Sequence, residues 1–112
     1  MVIDDEPDPR TILADLLELN GYAVMQAGNG SEALAQLKLG SPAPSLILLD
    51  MAMPVLDGKG FMRRARSRSW LARVPIVLMA EVDQPPPAGT VEVLKKPIAG
   101  NTLLKCVSRL VT

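Results

Sequence analysis

The sequence predicts an α/β protein in which a parallel five-stranded sheet carries helices on both faces. Three observations predict it. Short apolar runs alternate with segments of helical period along the chain. Two of those runs, 45–50 and 74–80, are almost continuously apolar, as strands covered on both faces are. The runs also end in charged residues, which a parallel sheet gathers at one edge.

The elements follow in order. Residues 1–4 read as a strand stub, short enough that the domain is either trimmed or starts abruptly. Asp8-Pro9 reads as a helix start, with Asp as N-cap and Pro at the first helical position. Ile12, Leu13, Leu16 and Leu17 give that helix its apolar stripe, and Asn20-Gly21 closes it. Residues 22–27 form a second strand. Asn29-Gly30-Ser31 turns and caps a short helix with Ala33, Leu34 and Leu37 on one face, and residues 40–44 break it.

The run 45–50 is the strongest strand signal, and it ends on Asp50. Asp57-Gly58 opens a third helix, with Asp57 as a turn or N-cap residue. That helix carries Phe61, Met62 and the basic set Arg63, Arg64, Arg66 and Arg68, read as a solvated face. Residues 74–80 and 91–94 are the fourth and fifth strands, and 101–111 the last helix. In that helix Cys106 reads as a small packing residue. Between strands four and five stands Pro85-Pro86-Pro87. Each proline inside a helix costs about 3 kcal/mol, so a loop is expected where the alternation calls for a helix.

Composition narrows the chemistry. The 112 residues fit one domain, 1–112, and 48% hydrophobic content suffices for a core. Twelve basic residues against twelve acidic ones give no support to a nucleic-acid or acidic-membrane partner. The absence of His removes the Ser-His-Asp triad and any histidine phosphoryl carrier within the chain. A single Cys removes an internal disulfide and a cysteine-cluster zinc site. No apolar run is long enough to span a membrane, and the acidic start has no signal-peptide core, so a cytoplasmic protein is expected.

The charged strand ends carry the functional argument. They are Asp4-Asp5, Asp50, Ala80-Glu81 and Lys95-Lys96. Three carboxylates at one edge repel one another. A hard divalent cation such as Mg2+ resolves that conflict with oxygen ligands, and a lysine offsets charge and pairs with phosphoryl oxygens. Such a set suits phosphoryl transfer to a carboxylate. Of the two lysines, which a strand points to opposite sides, Lys96 is the site candidate and Lys95 the solvent-facing one. The plainer alternative is that Asp4-Asp5 caps the first helix.

Ile3-Asp4-Asp5-Glu6, Leu48-Leu49-Asp50-Met51-Ala52-Met53-Pro54, Asp57-Gly58 and Lys96-Pro97, in that order, resemble the receiver domain of two-component response regulators. The resemblance implies a flavodoxin-like (βα)5 fold, here with helix 4 shortened or missing. It implies that Asp50 accepts a phosphoryl group from a histidine of a partner kinase or histidine phosphotransfer protein, and that a downstream protein then responds. It implies Mg2+ held by Asp5, Asp50 and the Ala52 carbonyl, with Asp4 acting through a water. It implies that Lys96 clamps the phosphoryl group and that the Lys96-Pro97 bond is cis. Apart from autodephosphorylation, no enzymatic turnover is expected. A homodimer is left open.

Two departures from the family pattern stand out. The end of strand four, where receivers carry Ser or Thr, is Ala80, followed by Glu81 where a small residue is usual. The aromatic residue expected on strand five is replaced by Val93. These motivate an alternative: a pseudo-receiver that binds partners independently of phosphorylation. A flavodoxin-like enzyme is disfavoured, because the loop after strand one is acidic and has no Gly or Ser cradle for a phosphate. A dehalogenase-type phosphatase would need an acid at Ala52.

Overall fold

The computed structural model describes residues 1–37, 42–51, 58–81 and 85–111. Five strands form one sheet: β1 (Val2–Ile3), β2 (Gln26–Ala27), β3 (Ile47–Asp50), β4 (Ile76–Ala80) and β5 (Thr90–Lys95). The helices are α1 (Pro7–Leu19), α2 (Gly30–Gln36), α3 (Gly58–Arg66) and α4 (Gly100–Leu110). The strand order is β2-β1-β3-β4-β5, and every pairing is parallel. This is the flavodoxin-like doubly wound arrangement. Among the described residues between β4 and β5 there is no helix, as the proline run predicts.

Alternation along the strands divides the core. Ile3, Ile47, Leu49, Ile76 and Leu78 face α2 and α3, where they meet Leu34, Phe61 and Met62. Val2, Leu48, Val77, Met79 and Leu94 face α1 and α4, where they meet Leu13, Leu17, Leu103 and Val107. Cys106 packs in this second layer, and burial, reinforced by Glu92, pushes its thiol up to about 12. It remains a protonated packing residue at neutral pH.

Several boundaries differ from the sequence reading. Helix α1 starts at Pro7, not Pro9, and its N-cap is Glu6 rather than Asp8. Both prolines fit inside the first turn, whose N–H groups have no intrahelical acceptor. Asp8 is therefore an exposed acid of that turn, where it favours the helix dipole. Strand β2 pairs only at Gln26 and Ala27, because β1 offers it only Val2 and Ile3. The expected close of α1 is present: Asn20 caps it and Gly21 adopts φ +90°. So is the Asn29 cap of α2, whose side chain accepts the Glu32 N–H at 2.8 Å. Asp57 and the breaker at 40–41 lie outside the described residues.

The basic set after α3 is not one solvated face. Arg63 and Arg64 are exposed. The Arg66 guanidinium instead clasps backbone: Nη1 donates to the Ala72 and Val74 carbonyls at 2.8 and 3.1 Å, and Nη2 to Gly89 at 2.9 Å. It ties the approaches to β4 and β5 together where a helix would otherwise do so. Gly89 accommodates the approach at φ +94°, with Arg66 Nε 3.2 Å from where a Cβ would stand. Arg68 donates to the Leu37 carbonyl at 3.2 Å and caps the C-terminal end of α2.

These roles separate neighbouring arginines. Arg66→Ala should lower stability by about 1.5–2 kcal/mol, toward the low end for hydrogen bonds to a charged group because two of the three bonds are exposed. Arg63→Ala should stay within about 0.5 kcal/mol. Urea denaturation midpoints of the two variants check this, and equal midpoints would refute the clasp.

Candidate functional site

Sheet order assembles the site. Because β1 and β3 are neighbours, Asp4 and Asp5, just past β1, stand beside Asp50 at the end of β3. Strand β5 lies two places from β3, about 10 Å away. A long side chain is needed to cross that gap, and Lys96 supplies it. Its Nζ lies 3.1 Å from Asp50 Oδ1 and 3.6 Å from Asp4 Oδ2. The Lys96 N–H donates to the Ala80 carbonyl at 2.8 Å, which fixes where the side chain departs. The Lys96-Pro97 bond that follows is cis.

Asp4 is fully buried and Asp50 nearly so, whereas Asp5 is exposed. The three carboxylates each offer an oxygen, and these lie within 4.8 Å of one another. Asp4 does also serve the backbone, since Oδ1 accepts the Glu6 N–H at 3.0 Å just ahead of α1. Its other oxygen, Oδ2, is buried without a hydrogen-bond donor. The Lys96 ammonium at 3.6 Å offsets only part of the desolvation cost that an acceptor in that condition carries. Three converging carboxylate oxygens, one of them orphaned, fit a hard divalent cation. Ala52, the expected carbonyl ligand, lies outside the described residues.

Electrostatics bind Lys96 to the cluster. Partial burial pulls its pKa down, but the hydrogen bond to Asp50 and the charges of Asp50, Asp4 and Glu6 outweigh that and hold it above 10.5. A raised cationic pKa means that its stabilisation is complete below the ordinary value. It is lost only as pH rises through the higher folded value. At neutral pH Lys96 is therefore fully charged.

A cavity of about 310 Å³ opens on Asp5, Asp50 and Lys96 and is also lined by Ala80 and Glu81. The end of β4 thus offers a methyl group and a carboxylate where a phosphoryl ligand would want a hydroxyl. Val93 and Pro86 line its outer side. On the opposite side of Lys96 a second cavity of about 520 Å³ runs along α1 past Ile12 and Leu13.

One arginine that the sequence reading passed over supports this edge. Arg10 donates from Nη1 to the Asp4 carbonyl at 3.0 Å and from Nε to Gln26 Oε1 at 3.2 Å, joining α1, β1 and β2. The available signal was a cation in the first turns of a helix, where the dipole disfavours it. Arg66 had no such signal, since its acceptors are backbone carbonyls. Gly58 allows α3 to begin against the end of β3: a Cβ there would lie 3.2 Å from the Asp50 carbonyl oxygen and from Met51 Cα.

Comparison with known proteins agrees with this geometry. The family described as response regulator receiver domain matches residues 1–108. The chain is similar to the protein PilH of Pseudomonas aeruginosa, at 27% identity over 96% of this chain and 93% of that one. It is 40% identical to a probable transcriptional regulator, ycf27, of Pyropia yezoensis over 75% of this chain, but spans only about a third (32%) of that relative's length. Among solved structures, chemotaxis protein CheY4 of Vibrio cholerae superimposes with a TM-score of 0.89 at 29% identity, covering 98% of this chain and 95% of that one. Receiver domains generally bind Mg2+ at an acidic pocket, and such a pocket is formed here by Asp4, Asp5 and Asp50. The chain belongs to the response regulator receiver domain family.

Proposed function

We propose that this domain accepts a phosphoryl group on Asp50 from the phosphohistidine of a partner kinase or phosphotransfer protein. The observation that carries the reading is the Asp50 carboxylate held at a cavity wall, with Lys96 at 3.1 Å and two further carboxylates beside it. An Asp50 oxygen attacks phosphorus, the P–N bond to the donor imidazole breaks, and an acyl phosphate remains on Asp50. These 112 residues contain no His, so the donor imidazole lies outside them.

Each residue then has a task. Lys96 neutralises charge that gathers on the phosphoryl oxygens and, by leaving Asp50 for them, frees the nucleophile. Asp5 and Asp50, with the Ala52 carbonyl, would hold Mg2+, with Asp4 acting through a water. The cation supplies charge neutralisation that lets the anionic donor approach three carboxylates. The Ala80 side chain offers no hydrogen-bond donor, so one phosphoryl oxygen must be satisfied by other groups. The reading extends to a single domain over 1–112, acting on a downstream protein in the cytoplasm. Among the described residues no helix is long and apolar enough to cross a membrane.

A second reading has one observation in its favour. Ala80 and Glu81 line the same cavity as Asp50, one without a donor and the other with like charge. On that reading the domain binds its partner independently of phosphorylation.

Three measurements decide. Incubation with acetyl phosphate and Mg2+ should add one phosphoryl mass, and Asp50→Asn should abolish it. An unmodified wild-type chain, with partner affinity unchanged in Asp50→Ala, would establish the second reading instead. Mg2+ titration followed by amide shifts should saturate in the wild type and be lost in Asp5→Asn.

Lys96→Met should destabilise the metal-free domain by about 3 kcal/mol, because two buried carboxylates lose their cation. Millimolar Mg2+ should recover part of that loss by binding the folded state. Thermal melts with and without Mg2+ test it, and no recovery would show that the carboxylates do not bind the ion.

Ala80→Thr should raise the phosphorylation rate about tenfold or more by restoring a donor to the transferring group. An unchanged rate in a time course of intact mass would show that the hydroxyl is not what limits transfer.

A further inference from the structure

The described residues leave five large hydrophobic side chains exposed: Ile12, Leu19, Met25, Val91 and Val93. Four of them form two patches of opposite charge. On α1, Asp8, Ile12, Asp15 and Leu19 recur at i, i+4, i+7 and i+11 and so form one stripe. Ile12 is 66% and Leu19 84% exposed, and Asp8, Asp15 and Glu18 beside them are exposed acids. The one cation of α1, Arg10, is turned to Asp4 and Gln26. This stripe is the outer face of an acidic amphipathic helix.

The second patch lies beside β5. The register pairs Leu78 with Val93 and Met79 with Leu94. Leu78 faces α2 and α3, while Met79 and Leu94 face α1 and α4. Val93 therefore lies on the α2–α3 face. There α3 covers β3 and β4, and among the described residues no helix continues over β5. Leu94, on the covered face, is 5% exposed, whereas Val93 is 40% and Val91 52% exposed. The α3 side of this slot is basic, whereas Glu81 lines the cavity at its Val93 end. Helix α3 contains Lys59, Arg63, Arg64 and Arg66 and no acid. Lys59, Arg63 and Arg64 are exposed, and the recorded acceptors of Arg66 are neutral carbonyls that leave its charge in place.

We propose that the chain associates head to tail with copies of itself, the acidic stripe of α1 in one copy lying in the slot beside β5 of the next. The chemistry of the two patches matches: an apolar ridge flanked by carboxylates meets an apolar strip flanked by guanidinium and ammonium groups. Because α1 and the slot are on opposite faces of the sheet, one chain cannot satisfy itself. Because the patches differ, the contact is heterologous and propagates along a row of copies unless the rotation closes a ring.

Sedimentation velocity on the 112-residue chain tests this. Average mass should rise between about 10 μM and 1 mM and fall back when salt reaches about 1 M, where charge attraction is screened. Leu19→Lys and Val91→Lys should each remain monomeric, since each removes one half of the contact. Mixed one to one, they should give a species of two chains and nothing larger, because each retains the half that the other lacks. Far-UV circular dichroism and denaturation midpoints verify that both fold. Ile12→Lys and Arg63→Glu provide a second pair should either fail. A wild type that stays monomeric throughout, a variant that still assembles, or a mixture that stays monomeric would each overturn the proposal. Loss of assembly in only one of the two variants would indicate a symmetric dimer and would overturn it as well.

Discussion

The ion pair between Lys96 and the Asp4–Asp50 carboxylates is the interaction on which the rest of the site depends. Three carboxylates at one sheet edge are unstable company, and two of them are buried. Lysine is long enough to reach Asp50 from two strands away, and Asp4 beside it, while remaining charged. The fold serves that reach. The crossover from β2 through α2 to β3 places β3 beside β1 and so brings the acids together. The β4 carbonyl of Ala80 then fixes the Lys96 backbone. The arrangement is incompletely satisfied by the protein alone, since Asp4 Oδ2 keeps no donor. That residual deficit is what a cation can exploit.

Much of this was legible in the sequence because it follows from local rules. Continuous apolar runs gave β3 and β4 their place inside the sheet, and carboxylates at strand ends announced the edge at which Asp50 and Asp5 meet. Pro85-Pro86-Pro87 excluded a helix between β4 and β5 for want of donors and room. What could not be read depends on partners distant in sequence. Pro7 and Pro9 both suit a first turn, and the contest between them is settled by where Asp4 can accept the Glu6 N–H. The length of β2 is set by how many residues β1 presents. Arg66 looked like solvated charge because backbone carbonyls, its acceptors, exist at every position and mark none. Arg10 was hidden for the same reason, though its unfavourable place near a helix start was a clue.

The two departures from the family pattern fall on one side of the site. Ala80 ends β4 and Glu81 follows it, Val93 lies on β5, and among the described residues no helix covers the same stretch of sheet. The acid cluster at the ends of β1 and β3 is intact by contrast. Change is thus concentrated where a receiver would carry its signal outward, while the groups that hold charge are kept. A domain so arranged keeps its carboxylates and its lysine together and presents a different surface beside them.

The Arg66 clasp has a dynamic consequence. A strand covered by a helix is released only when that helix lifts, a cooperative event that engages much of the core. Here the outer strand is secured at its base by one guanidinium holding carbonyls on two approaching segments. Fraying of that base requires parting a few hydrogen bonds and little apolar surface, while Leu94 stays packed against α4. The lower edge of β5 is therefore the natural first unit of sub-global opening, and its amides should exchange with solvent well ahead of those in β3 and β4.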